Sequence, residues 1–170
     1  MVVLSYRHDI RFLKNESIIH LLYPFFVRAM VNLLHIDDDI EFLYLIKIFA
    51  QKFYKSFKIS SICDPREINS KYSIDDLSGF DAIISDYKMP YLNGKEVLSY
   101  LRNNYINTPF ILCSSTSIES LDIKNEIKYF LHKTKNINSL FIELNDYLNK
   151  IIFEENNDPT HDTKNPTIII

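Results

Sequence analysis

The sequence predicts an α/β protein built on a doubly wound, five-stranded parallel sheet, and three observations carry that expectation. From residue 31 onward, short apolar runs of strand length alternate with stretches of helical spacing, the pattern of a parallel sheet covered on both faces. The first run, Val31 to Ile36, stops abruptly at Asp37-Asp38-Asp39, and the third, Phe80 to Ser85, stops at Asp86. Such strand ends form the edge where open α/β sheets place their ligands, and right-handed crossovers put them all on one side. The 46% apolar content, with 12 Phe and 11 Tyr among 170 residues, is ample for one core with tails. A formal charge of −3 offers no general attraction to nucleic acid. Cys63 and Cys113 show no C-x-x-C spacing and are expected to be two buried thiols in a reducing cytosol.

The elements follow in order. Residues 1–30 form an N-terminal extension. Ser17 to Val27 carries no Asp, Glu, Lys or Arg, and Ile18, Ile19, Leu22, Phe25, Phe26 and Ala29 keep helical spacing. The stretch is too short for a membrane span and lacks a small-residue cleavage pattern, so residues 1–29 are expected to be an added helix or a dispensable extension. Asp39 can cap a helix from Ile40 to about Tyr54, apolar on most sides. Phe57 to Cys63 is the second strand. Asp64-Pro65 can start a weak polar helix that ends near Leu77-Ser78-Gly79. After Asp86 a loop leads to Asn93-Gly94, where a left-handed or tight backbone is expected. A helix over Lys95 to Asn103 turns Val97, Leu98 and Leu101 inward. Thr108 to Cys113 forms a fourth strand ending in Ser114-Ser115-Thr116, and a short helix covers Ile118 to Asn125. Ile127 to His132 is the fifth strand, with Lys133 at its end. A last helix over Ile137 to Phe153 buries Ile137, Leu140, Phe141, Leu144, Leu148 and Ile151, and residues 154–170 read as a disordered polar tail.

Acids at two neighbouring strand ends repel. Two unit charges ~4 Å apart cost about 4 kcal/mol at a surface-like dielectric. A divalent cation with oxygen ligands offsets that cost, so Asp37, Asp38 and Asp86 are read as a Mg²⁺ pocket. A carboxylate can attack phosphorus to give an aspartyl phosphate. The metal and the Lys133 ammonium would neutralise the transferring group, with the Ser114 hydroxyl donating to a phosphoryl oxygen. Asp39 reads as a helix cap, while His35 and His132 read as packing or surface residues.

Taken together, Leu33-Leu-His-Ile-Asp37-Asp38-Asp39, Asp86-Tyr-Lys-Met-Pro90-Tyr-Leu-Asn-Gly94, Pro109-Phe-Ile-Leu-Cys-Ser114 and Phe130-Leu-His-Lys133 resemble the response-regulator receiver domain. The resemblance covers about residues 31–153 and implies a (βα)5 fold of flavodoxin-like strand order, phosphorylated on Asp by a histidine kinase. It implies that Asp37 and Asp38 are the metal-binding pair, Asp86 the phosphoacceptor and the Lys88 backbone carbonyl a further metal ligand. Ser114 would be the switch hydroxyl, Lys133 the phosphate lysine and Phe130 the switch aromatic, although core packing explains Phe130 equally well. The chain departs from the family at Thr134, where a Pro is usual, and at Ser114, where Thr is commoner. The 19 positions from Ser114 to Lys133 are fewer than usual, so the fourth helix is expected to be cut short and partner docking to be unusual. Lys88 and Thr116 are expected to alter the phosphoryl lifetime.

The implied function is a stand-alone phosphorelay receiver, since only a polar tail follows Phe153. It would be cytoplasmic, without a membrane span or direct DNA binding, and would meet a histidine kinase or phosphotransfer protein and a further protein downstream. It would not be an enzyme beyond assisting its own phosphorylation and dephosphorylation. Two alternatives stay open. A Mg²⁺-dependent phosphatase of the haloacid-dehalogenase type would use Asp37 as nucleophile with Asp39, Ser114 and Lys133, but explains neither Asp86 nor Met89-Pro90 with Gly94. A pseudo-receiver would keep the fold without phosphorylation.

Overall fold

A computed structural model describes residues 30–53, 57–133 and 136–157. All of these except Met30 belong to the second of two units into which the chain divides, between Met30 and Val31. The N-terminal extension, Thr134 and residues 158–170 lie outside the described residues. The strands are β1 (Val31–Ile36), β2 (Phe57–Ile62), β3 (Ala82–Asp86), β4 (Phe110–Ser114) and β5 (Tyr129–His132). They form one parallel sheet in the order β2-β1-β3-β4-β5, so the doubly wound, flavodoxin-like expectation holds. The helices are α1 (Ile40–Phe53), α2 (Ile68–Lys71), α3 (Ile74–Ser78), α4 (Gly94–Asn103) and α5 (Ile137–Asn157). No helix among the described residues is long and apolar enough to cross a membrane.

Strand residues alternate between two cores, because successive side chains point to opposite faces. Val31, Leu33, Ile84, Ile111, Cys113 and Leu131 face α1 and α5, where Ile46, Ala50, Leu140, Phe141 and Leu144 are buried. The rings of Phe49 on α1 and Phe141 on α5 stack at 4.5 Å. Leu34, Ile36, Ile83 and Leu112 face the other way, against Ile68, Leu77, Val97, Leu98 and Leu101. Each fully buried Leu or Ile contributes roughly 1.5–3 kcal/mol, enough in sum to fix the register that aligns the strand ends. Helix starts are set by local capping. Asn93 and Glu96 exchange side chain-to-backbone bonds at the head of α4, and Asp39 Oδ1 accepts the Phe42 amide at 3.0 Å at the head of α1.

Several elements differ from expectation. The stretch from Asp64 to Ser78 is not one helix. A 3₁₀ turn at Pro65–Glu67 and α2 end at extended Tyr72, and a Ser73–Asp76 capping box restarts the chain as α3. The helix expected over Ile118 to Asn125 is a single 3₁₀ turn, Ile118–Ser120, after which Leu121 is extended. The reason is burial: Leu121 and Ile123 are both inside, and residues two apart cannot share a helix face. α5 continues through Asn157, so the first residues of the expected tail are helical. Cys63 is exposed rather than buried, while Cys113 is buried. On α1, Ile40, Tyr44, Leu45 and Ile48 are exposed. Gly94 is not left-handed. In that loop Tyr91 is, at φ 71°, with the Arg66 guanidinium 3.7 Å over its ring.

Candidate functional site

The carboxyl edge of the sheet gathers the predicted acids. Parallel pairing of β1 with β3 brings the ends of the two strands side by side. One carboxylate oxygen from each of Asp37, Asp38 and Asp86 lies within 4.8 Å of the other two. Asp37 is wholly buried, Asp86 is 6% exposed and Asp38 faces solvent. β5 delivers Lys133, whose amide donates to the Ser114 carbonyl at 2.8 Å. Its ammonium sits 2.7 Å from Asp37 Oδ2 and 2.8 Å from Asp86 Oδ2. The other oxygens are held by the backbone: Asp37 Oδ1 accepts from the Asp39 amide at 3.0 Å and Asp86 Oδ1 from the Tyr87 amide at 2.7 Å.

The electrostatics separate the two buried acids. Burial works to raise Asp37, but the His35 ring and the Lys133 ammonium outweigh it and hold the carboxyl below its usual range. Burial dominates at Asp86, and with the Asp37 charge it lifts that carboxyl above its usual range in spite of Lys133. Burial also works to lower Lys133, yet its two carboxylate partners prevail and raise it, so it stays an ammonium. Three carboxylates against one ammonium leave a surplus of two negative charges when ionised. The donors are hard oxygens, the kind divalent cations such as Mg²⁺ and Ca²⁺ take, and the acid cluster therefore fits a metal ion.

The remaining predicted residues lie around this cluster. Ser114 is buried at the end of β4, its Oγ accepting the Thr116 amide at 3.1 Å, which leaves the hydroxyl proton free to donate elsewhere. Lys88 is exposed in the loop leaving β3. Phe130 is half-buried in β5, opposite Leu112, with its carbonyl 2.9 Å from the Tyr147 hydroxyl. Asp39 acts as the expected cap.

Other residues at this edge were not visible as site residues in the sequence. His35 is buried with Nε2 3.5 Å from Asp37 Oδ2, and its ring meets Phe42 edge-on at 5.7 Å. The Lys133 ammonium lies 4.9 Å from the centre of the Phe42 ring. Tyr87 donates its hydroxyl to Asp122 at 2.6 Å, and Lys95 reaches the same carboxylate at 2.8 Å, tying the loop after Asp86 to the β4–β5 connection. A His inside an apolar strand and a Phe inside an apolar helix carry no pattern that separates them from core, and Asp122 carries none that pairs it with Tyr87.

A parallel, doubly wound sheet with acids and a lysine at its carboxyl edge defines a class of α/β proteins whose chemistry sits at strand ends. A family model described as the response regulator receiver domain matches residues 33–150, and the chain belongs to that family, the receiver domains of two-component response regulators. The receiver domain of Francisella response regulator 1452 is similar, with 28% identity and a TM-score of 0.56 over 71% of this chain and 97% of that one. The chemotaxis response regulator CheY4 of Vibrio cholerae is 25% identical with a TM-score of 0.56, over 69% of this chain and 98% of its own. In Arabidopsis thaliana, two-component response regulator ARR21 is 28% identical over 85 residues, 50% of this chain. That stretch is 13% of the plant protein, so the chain spans a small part of that relative.

Proposed function

We propose that Asp86 is the phosphoacceptor of a phosphorelay, taking a phosphoryl group from a histidine kinase or phosphotransfer protein in the cytoplasm. The observation that carries this reading is the Lys133 ammonium, 2.7 and 2.8 Å from Asp37 and Asp86 at an edge holding three carboxylates. An Asp86 carboxylate oxygen bonds to phosphorus as the bond from phosphorus to the donor breaks. Lys133 is already in contact with Asp86 Oδ2, where it can follow the incoming charge. Asp37, Asp38 and Asp86, with the Lys88 carbonyl, would hold Mg²⁺, which supplies the rest of the neutralising charge. Preorganised cations of this kind provide most of the acceleration in phosphoryl transfer.

Ser114 then acts as the switch hydroxyl by donating to a phosphoryl oxygen. Because its Oγ also accepts from Thr116, its movement pulls on the β4–β5 connection. Phe130, half-buried on that side of the sheet, responds by a change of packing, and the altered surface is what a downstream protein reads. The receiver unit begins at Val31 and runs into α5, with residues 1–29 dispensable to it.

Incubation with acetyl phosphate and Mg²⁺, followed by intact and peptide mass spectrometry, tests the assignment. One phosphoryl adduct is expected, mapped to Asp86, absent from Asp86→Asn and reduced in Asp37→Asn. Turnover of phosphomonoesters that survives Asp86→Asn and stops in Asp37→Asn would point to the phosphatase chemistry instead.

A further inference from the structure

Two of the groups around the Lys133 ammonium are the carboxylates described above, and another is the ring of Phe42, 4.9 Å from Nζ. We propose that Phe42 is a positioning residue for phosphoryl transfer, its ring face holding the Lys133 ammonium over the acid cluster. This rests on the reading of Asp86 as the phosphoacceptor.

The contacts close on themselves. Asp37 Oδ1 accepts the Asp39 amide, Asp39 Oδ1 accepts the Phe42 amide, the Phe42 ring lies against Lys133, and Lys133 returns to Asp37. The run of three acids therefore does two jobs: it supplies carboxylates and, by capping α1, aims the residue three positions on. His35 backs the ring edge-on at 5.7 Å, which fixes its plane. Lys133 is 16% exposed, so the ring acts on an ammonium largely withdrawn from water, where an aromatic face attracts a cation most strongly.

An aromatic face suits this task better than another hydrogen-bonding group. During transfer the ammonium must pass from the Asp86 carboxylate to a phosphoryl oxygen while keeping Asp37. A ring quadrupole attracts a cation without fixing it to one direction, so Nζ can shift without losing that support. An aliphatic side chain fills the space and offers no such attraction.

The test compares Phe42→Leu with Phe42→Tyr in the full chain. Leu keeps apolar bulk and favours helix, whereas Tyr keeps the π face. With acetyl phosphate and Mg²⁺, Phe42→Leu is expected to label Asp86 about fivefold more slowly, and Phe42→Tyr to restore the rate. In NMR spectra the Lys133 ε-methylene protons, shifted by the ring in the wild type and in Phe42→Tyr, should lose that shift in Phe42→Leu. Equal labelling rates for wild type and Phe42→Leu, or no ring shift at Lys133, would overturn the proposal. A wild-type protein that is never labelled on Asp86 would instead remove the phosphoacceptor reading, and the ring shift would then still report whether Phe42 holds the lysine.

Discussion

Gly94 shows how closely the backbone is packed around Asp86. A Cβ there would stand 2.6 Å from the Asp86 carbonyl oxygen, 2.9 Å from Leu112 Cδ1 and 3.1 Å from Tyr87 Cα. Two of those atoms are backbone, so no rotamer relieves the contact. Gly94→Ala gains helix propensity, worth about 1 kcal/mol, but the overpacking costs roughly 1–3 kcal/mol and pushes on β3. Urea unfolding should show a net loss of stability, with weaker metal binding in step. An unchanged midpoint would mean the loop yields freely. The sequence suggests a left-handed or tight backbone at Asn93-Gly94, and the tight alternative is the one found: the constraint is the space beside Asp86. The acids were legible for a different reason: carboxylates directly after buried strands repel one another and call for a cation, and Lys133 follows a buried strand in the same way. Phe42 was not legible, since its contact is with a lysine 91 positions further on, and His35 was not, since nothing in an apolar strand marks a histidine that folds back on Asp37.

At the scale of elements, a hydroxyl adds to the apolar packing between α5 and β5. Tyr147 Oη lies 2.9 Å from the Phe130 carbonyl and 2.7 Å from Glu143 Oε1. Burial, then the Glu143 carboxylate, pushes the phenol from an ordinary value of 10.0 up to about 12. A raised value means the folded protein holds this proton more tightly than the unfolded chain does. The contribution is therefore complete below about pH 10 and is lost as pH rises toward about 12. Tyr147→Phe should cost roughly 1 kcal/mol at neutral pH, and its deficit should narrow through that alkaline window when urea midpoints are compared. A constant deficit from pH 9 to 12 would contradict the assignment. The strands and the long helices were readable because burial on both faces leaves near-continuous apolar runs and helical stripes. The β4–β5 connection was not, because Ile118 and Leu121 imitate helical spacing while Leu121 and Ile123 are both drawn into the core. Its exposed anchor, Asp122 held by Tyr87 and Lys95, replaces part of what a packed helix would do.

For the whole molecule, the two cores fix the sheet, the sheet fixes the strand ends, and those ends set the charge at the site. Topology was legible because alternating strand and helix patterns leave few parallel arrangements, and the register follows from which residues must be buried. The most direct test is titration with beryllium fluoride and Mg²⁺, a mimic of the phosphoryl group, followed by amide NMR. A saturable, Mg²⁺-dependent response at Asp86, Tyr87, Ser114 and Lys133 that disappears in Asp86→Asn is the predicted result. No response, or one that persists in Asp86→Asn, would contradict the account.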